Sequence, residues 1–190
     1  DVIETIEKIY NSVWLMKISN NIHGTVCSLR NSHLTECKDM LVLRNDPHLS
    51  KFLKKVGNDI NKQKIWLKKQ RELKNKICLT IIDKQNKPLG YFTSFTIFPD
   101  KKFDPGGWIM HPSTLASMKI CSLVLAYEIG FNVLNLTKAL LRVKKGNLSI
   151  IKMHLRMGAK EIDNDKDFNY LILSKKVHNK SLIRKIFING

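Results

Sequence analysis

The sequence is short of the residues that build covalent or metal frameworks. Its four cysteines, Cys27, Cys37, Cys78 and Cys121, fall at no C-x-x-C spacing, and its histidines form no metal-like group. Neither a disulfide lattice nor a zinc site is therefore expected, and the cysteines read as reduced thiols of a cytoplasmic protein. No run approaches the ~18 uninterrupted apolar residues of a membrane span. The opening DVIETIEKIY also lacks the basic-then-apolar order of a signal peptide, so no membrane role is expected. Acidic residues are scarce too: 16 Asp and Glu face 33 Lys and Arg, a net charge of +17.

That excess supports two explanations. One is a polyanionic partner: nucleic acid, an anionic membrane, or ligands carrying several phosphates. The other is a Lys-, Asn- and Ile-rich composition imposed by an AT-biased genome. The basic segments Lys51–Lys55, Lys62–Lys76 and Lys175–Lys185 lack the interleaved aromatics of single-strand binding, which argues against nucleic acid. With 43% hydrophobic and 26% charged residues over 190 positions, the chain is of ordinary globular composition and one domain long.

Residues 1–22 carry Ile3, Ile6, Ile9, Tyr10, Val13 and Met16 at helical spacing. The chain divides accordingly into an amphipathic helical extension over 1–24 and a domain over 25–190. The extension is available to pack on the domain, to make a homodimer, or to dock a partner enzyme. A strand is expected through Thr25 to Leu29 and a helix from His33 to Arg44, with Thr35 as N-cap. Two basic helical stretches follow, Leu49 to Val56 and Lys62 to Lys74. Ile77–Asp83 and Leu89–Phe98 read as a hairpin, Pro99–Gly106 as a polar loop, and Gly107–His111 as a strand. A long helix over Ser117–Asn132 precedes a strand over Leu136–Val143 and a helix from Asn147 to Gly158. A strand over Phe168–Ser174 and a basic helix over Asn179–Phe187 close an α+β chain.

The stretch GGWIMHPSTLASMKICSLVLAYEIGFNVLNLTKALLRVKKGNLSIIKMHLRMGAKEID, Gly106 to Asp163, resembles the acyl-CoA half of the GNAT acyltransferase superfamily. The resemblance spans roughly residues 25–176. It is nearest in pattern to the nucleotide-amino-sugar N-acetyltransferases of pseudaminic acid synthesis and to the ribosomal-protein branch. It implies the GNAT fold, a mixed central sheet flanked by helices, with acetyl-CoA as acyl donor.

It also implies roles for individual residues. Ile109, Met110 and His111 fall on the strand whose backbone holds the pantetheine arm and the acyl carbonyl. Leu115, Ala116, Ser117, Met118, Lys119 and Ile120 fall on the pyrophosphate loop and helix start. Family members carry Q/R-x-x-G-x-G/A there, because glycine lets backbone N–H groups approach phosphate closely. None of the six is glycine here. Asn147 matches the Asn of the second cofactor motif, where its alternative work is helix capping alone. His154 stands where the family carries a Tyr that protonates the departing thiolate, a task a histidine can perform near neutral pH. Its bland alternative is a structural histidine.

On the acceptor side, Arg44 matches an arginine that lies near substrate phosphates, and Gln63 and Trp66 match pocket positions. A helix-end salt bridge and a core tryptophan are the plain alternatives. No general base stands out; Glu128 lies mid-helix. The resemblance thus implies an acetyl-CoA-dependent N-acetyltransferase for a nucleotide-linked amino sugar. A protein N-terminus or small amine is the enzymatic alternative. A degenerate GNAT chain that binds a partner without catalysis is the other.

Overall fold

The computed structural model describes residues 21–188; of the helical extension read over residues 1–24, residues 1–20 lie outside them, and Ile22–His23 at its end is strand, not helix. The described residues build one eight-stranded sheet. Its strands are β1 (Ile22–His23), β2 (Ser28–Asn31), β3 (Lys76–Ile82), β4 (Pro88–Phe98), β5 (Lys102–Met110), β6 (Lys138–Lys144), β7 (Lys160–Asn164) and β8 (Phe168–Ser174). Their order is β1-β2-β3-β4-β5-β6-β8-β7. Every neighbouring pair is antiparallel except β5 and β6, which run parallel.

Among the described residues six α-helices accompany the sheet: α1 (Cys37–Asn45), α2 (Ile60–Glu72), α3 (Ala116–Glu128), α4 (Leu148–Arg156), α5 (Lys175–Lys180) and α6 (Leu182–Ile188). Helix α3 lies on one face over the main core, where Leu29, Leu79, Ile81, Phe95 and Phe103 meet Leu125, Tyr127 and Phe131. Helices α1 and α2 cover the other face over a smaller core of Cys37, Met40, Leu43, Leu67, Tyr91 and Ile109. Ala116–Val133 is long and apolar enough by composition to cross a membrane. It is instead the central core helix, with Cys121 through Tyr127 all buried.

The hairpin, the central helix and Phe168–Ser174 fall where the sequence places them. Four local differences have physical causes. Thr35 does not cap the first helix; it lies inside a 3-10 turn, Leu34–Glu36, that the Glu36 carboxylate closes by accepting from the His33 N–H at 2.7 Å while also bound by Arg30 and Thr80. Leu49–Val56 is not a helix. Asp46 caps one turn through the His48 and Leu49 N–H groups, and the Arg44 guanidinium then takes the Lys54 carbonyl that a helix would need. Pro99–Gly106 is mostly strand, because Lys101 at φ 59° turns the chain tightly and β5 starts at Lys102. Pro105 is tolerated because β6 pairs only as far as Phe103, so a missing N–H on that edge costs no ladder bond. Strand β7, KEIDN, is exposed at every residue, and its sequence gives no alternation to reveal it.

Candidate active site between two parting strands

Strands β5 and β6 pair at just two positions, Lys102 with Lys138 and Phe103 with Ala139. Beyond them the strands part and open a wedge through the sheet. A cavity of about 120 Å³ occupies the wedge. Asp104 to Trp108 wall one side and Leu141 to Lys144 the other. Leu123, Asn147, Ile150 and His154 close it on the main-core side, and Phe52 and Leu53 roof it.

His154 is on the cavity wall and buried, and its Nδ1 lies 2.6 Å from the Tyr127 hydroxyl. Burial pushes the histidine down to about 4. Burial likewise raises Tyr127 well above the ordinary phenol range, so the hydroxyl stays protonated, and with no other partner for its hydrogen among the described residues it is assigned as the hydrogen-bond donor to Nδ1. The ring is therefore neutral with its hydrogen on Nε2. A histidine held at about 4 is not a charged acid near neutral pH; the donor it has available is a neutral N–H.

Asn147 occupies the N-cap of α4 but makes no side-chain cap bond. Its carbonyl oxygen accepts only from the Ser149 hydroxyl, at 3.4 Å, and its side chain borders the cavity. Capping alone does not account for it.

Ile109 and Met110 form the buried end of β5. The His111 N–H is spent on the Leu89 carbonyl at 2.8 Å. Its ring Nε2 lies 3.0 Å from Asp39, which also accepts from the Tyr91 hydroxyl at 2.6 Å. The His111 side chain is thus directed away from the cavity wall, into a pair beneath α1.

Leu115 is the N-cap of α3, and it offers no side-chain acceptor. The first N–H groups of a helix have no intrahelical partner, and leucine is a poor cap. Lys119 is the first residue here to close a helical bond, onto the Leu115 carbonyl at 3.1 Å. Ala116 and Ser117 are exposed, Met118 and Ile120 half-buried, and Lys119 adds a positive charge to the same turn. An uncapped helix start with small exposed side chains can take an anion without glycine, aided by the helix dipole.

The acceptor-side expectations fare unevenly. Arg44 does not present a free fork: Nη1 donates to Thr93 Oγ1 at 3.0 Å and Nη2 to the Lys54 carbonyl. Thr93 in turn donates to the Gly107 carbonyl at 3.2 Å. The arginine therefore ties the cavity roof to the β5 wall. Gln63 sits against Met40, and Trp66 packs on the smaller core; neither lines the cavity.

The sequence reading missed Asp104, placed in an expected loop. Burial pushes its carboxyl up to about 7, with Arg142 opposing that rise. Among the described residues it is the one acidic side chain on the cavity wall. Arg142, Tyr127 and the Phe52–Leu53 roof were also missed, since none belongs to a contiguous motif.

Neither a protein-family model nor a curated protein sequence matches the chain. Solved structures do. The apo structure of FdhC, a nucleotide-linked sugar GNAT, is similar at 25% identity and TM-score 0.75, over 86% of this chain and 94% of that one. A spermidine N-acetyltransferase from Vibrio cholerae, solved with CoA and spermine, is similar at 14% identity and TM-score 0.70, over 81% and 98%. A GCN5-related N-acetyltransferase from Brucella melitensis is similar at 12% and TM-score 0.70, over 87% and 82%.

Proposed function

By its fold this is a GNAT-superfamily chain, and on that premise we propose that it is an acyl-CoA-dependent N-acetyltransferase whose acceptor is the amine of a nucleotide-linked amino sugar. The observation that carries the reading is the wedge between β5 and β6. It brings an ionisable acid, a neutral histidine donor and an asparagine without a cap bond to one cavity. The likeness to a nucleotide-linked sugar GNAT supports the acceptor class.

In this reading the N-terminus of α3, from Leu115 to Ile120, receives the pyrophosphate, and the backbone of Ile109 to His111 borders the pantetheine arm. Asn147 hydrogen-bonds that arm with the side-chain groups its own helix leaves free. Asp104 takes the proton from the amine; a carboxyl at about 7 is half ionised at neutral pH and well matched to that task. His154, fixed by Tyr127, offers its Nε2–H to the sulfur as negative charge gathers there. Attack is direct, with no covalent enzyme intermediate. Arg44 acts by position, holding the roof, and the four buried free cysteines suit a reducing compartment such as the cytoplasm.

The likeness to a spermidine acetyltransferase brings a polyamine into the comparison. The exposed Arg142 and Lys144 at the cavity would repel a polycation. Thiol release from acetyl-CoA should be followed across nucleotide-linked amino sugars, spermidine and peptides with free N-termini. Turnover confined to the sugars is expected. Turnover on spermidine or peptide alone would overturn the acceptor class, and acetyl-CoA binding without turnover on any amine would favour a binding module.

A further inference from the structure

The half of the sheet formed by β6 and β8 carries a feature that the acyl-transfer chemistry does not use. Along β6, burial alternates: Leu141 and Val143 are buried in the main core, while Arg142 and Lys144 are exposed on the opposite face. Helices α1 and α2 contact β5 and β3 on that face, where Arg142 and Lys144 of β6 stay exposed. The Arg142 guanidinium lies 4.7 Å from the centroid of the Phe168 ring, whose residue pairs with Lys144 across the ladder. Tyr170 pairs with Arg142, its ring 6.5 Å from Phe168, and its hydroxyl is anchored by donation to Asp165 at 2.6 Å. Among the described residues, Arg142 makes no ion pair closer than its electrostatic contact with Asp104. Both Arg142 and Lys144 border the cavity, and Phe52 faces them from its roof.

A half-buried aromatic ring beside two exposed cations, at the mouth of a cavity with an acid inside, has a definite complement. A flat base stacks on a ring or a guanidinium plane, and an Arg fork beside a Lys suits a diphosphate. A polyamine finds repulsion at the same place. We propose that Arg142, Phe168 and Lys144 form the subsite for the nucleoside diphosphate of the acceptor. The sugar amine then points inward to Asp104. This rests on the N-acetyltransferase reading above and adds where the acceptor's nucleotide sits.

A nucleoside diphosphate chemistry could also come from the acyl donor, whose adenosine carries phosphates, so the test separates the two. UDP and dTDP are titrated calorimetrically into the protein alone and into the protein saturated with CoA. The wild type, Arg142→Ala, Arg142→Lys and Phe168→Leu are compared, and CoA affinity is measured for each. The expected result is saturable nucleotide binding in both states, weakened about tenfold by Arg142→Ala. Arg142→Lys should fall between, and CoA affinity should stay within about twofold. Arg142 is exposed, so its variants test the idea even if Phe168→Leu fails to fold.

Four results would overturn the proposal: no nucleotide binding by the wild type, equal binding by the Arg142 variants, a parallel loss of CoA affinity, or competition between nucleotide and CoA. Failure of the wild type to bind CoA would sink the acetyltransferase reading itself. Nucleotide binding that competes with CoA instead of coexisting with it would assign the subsite to the donor and overturn this one.

Discussion

Asp104→Asn keeps the size of the side chain and removes its basicity. Turnover is expected to fall by roughly two to four orders of magnitude, with acetyl-CoA affinity retained. In the wild type, kcat/KM should rise as pH passes about 7, where the carboxyl ionises, and the variant should lose that step. The same residue makes a stability prediction of defined sign. Its folded pKa is raised above the ordinary 3.8, so its contribution is full below 3.8 and lost as pH climbs through about 7. Thermal melts of Asp104→Asn should therefore show a higher Tm than wild type at pH 8 and little difference near pH 3.5. His154→Gln should lower turnover more than acetyl-CoA affinity, because the ring's Nε2–H is assigned to the departing sulfur. Equal losses in both would make the residue structural. The sequence shows His154 and Asn147 because both sit in a contiguous motif. It hides Asp104 because Lys102–Gly106 has Asp, Pro and Gly, the composition of a loop, in a segment that the hairpin makes a strand.

At the scale of elements, the 46–58 segment shows what one-dimensional pattern misses. Its lysines and leucines have helical spacing, yet a buried guanidinium from α1 claims the Lys54 carbonyl and fixes an irregular roof. Arg44→Ala should free that roof. Faster proteolysis between residues 46 and 58 and a raised KM for the acceptor are expected, with acetyl-CoA affinity close to unchanged. Unaltered cleavage would show that the clamp is idle. Gly107 makes the complementary point inside β5. Its φ is +68°, and an added Cβ would lie 2.2 Å from Thr93 Oγ1, the atom that joins Arg44 to this strand. Gly107→Ala should cost roughly 1–3 kcal/mol in chemical denaturation, and a stable variant would contradict the assigned strain. The hairpin and the central helix were legible because their apolar runs are long. The parting of β5 from β6, which creates the cavity, depends on a register that no local pattern encodes.

Across the whole molecule, the C-terminal helices are tied to α3 through Glu128. Its carboxylate accepts from His178 at 3.1 Å and from Arg184 at 2.8 Å twice. Burial would raise this carboxyl, but those partners outweigh it and hold it at about 2. A depressed folded pKa gives stability that is present above the ordinary 4.5 and fades as pH falls towards 2. The gap in urea midpoint between wild type and Glu128→Gln should accordingly be wide at pH 7 and narrow by pH 3. A gap independent of pH would show that the ties contribute little.

The net charge of +17 is shared between surface lysines and a few placed cations, Lys119 at the α3 start and Arg142 and Lys144 at the cavity. Composition alone could not separate the two groups; position in the fold does. What decides the account is whether the glycine-free start of α3 still serves its ligand. Calorimetric titration of the protein with acetyl-CoA, beside the Asn147→Ala variant, measures that directly at physiological salt. Saturable micromolar binding by the wild type, weakened in the variant, is the predicted result. No binding, or binding untouched by the variant, would mean that the wedge between β5 and β6 is not an acyl-CoA site.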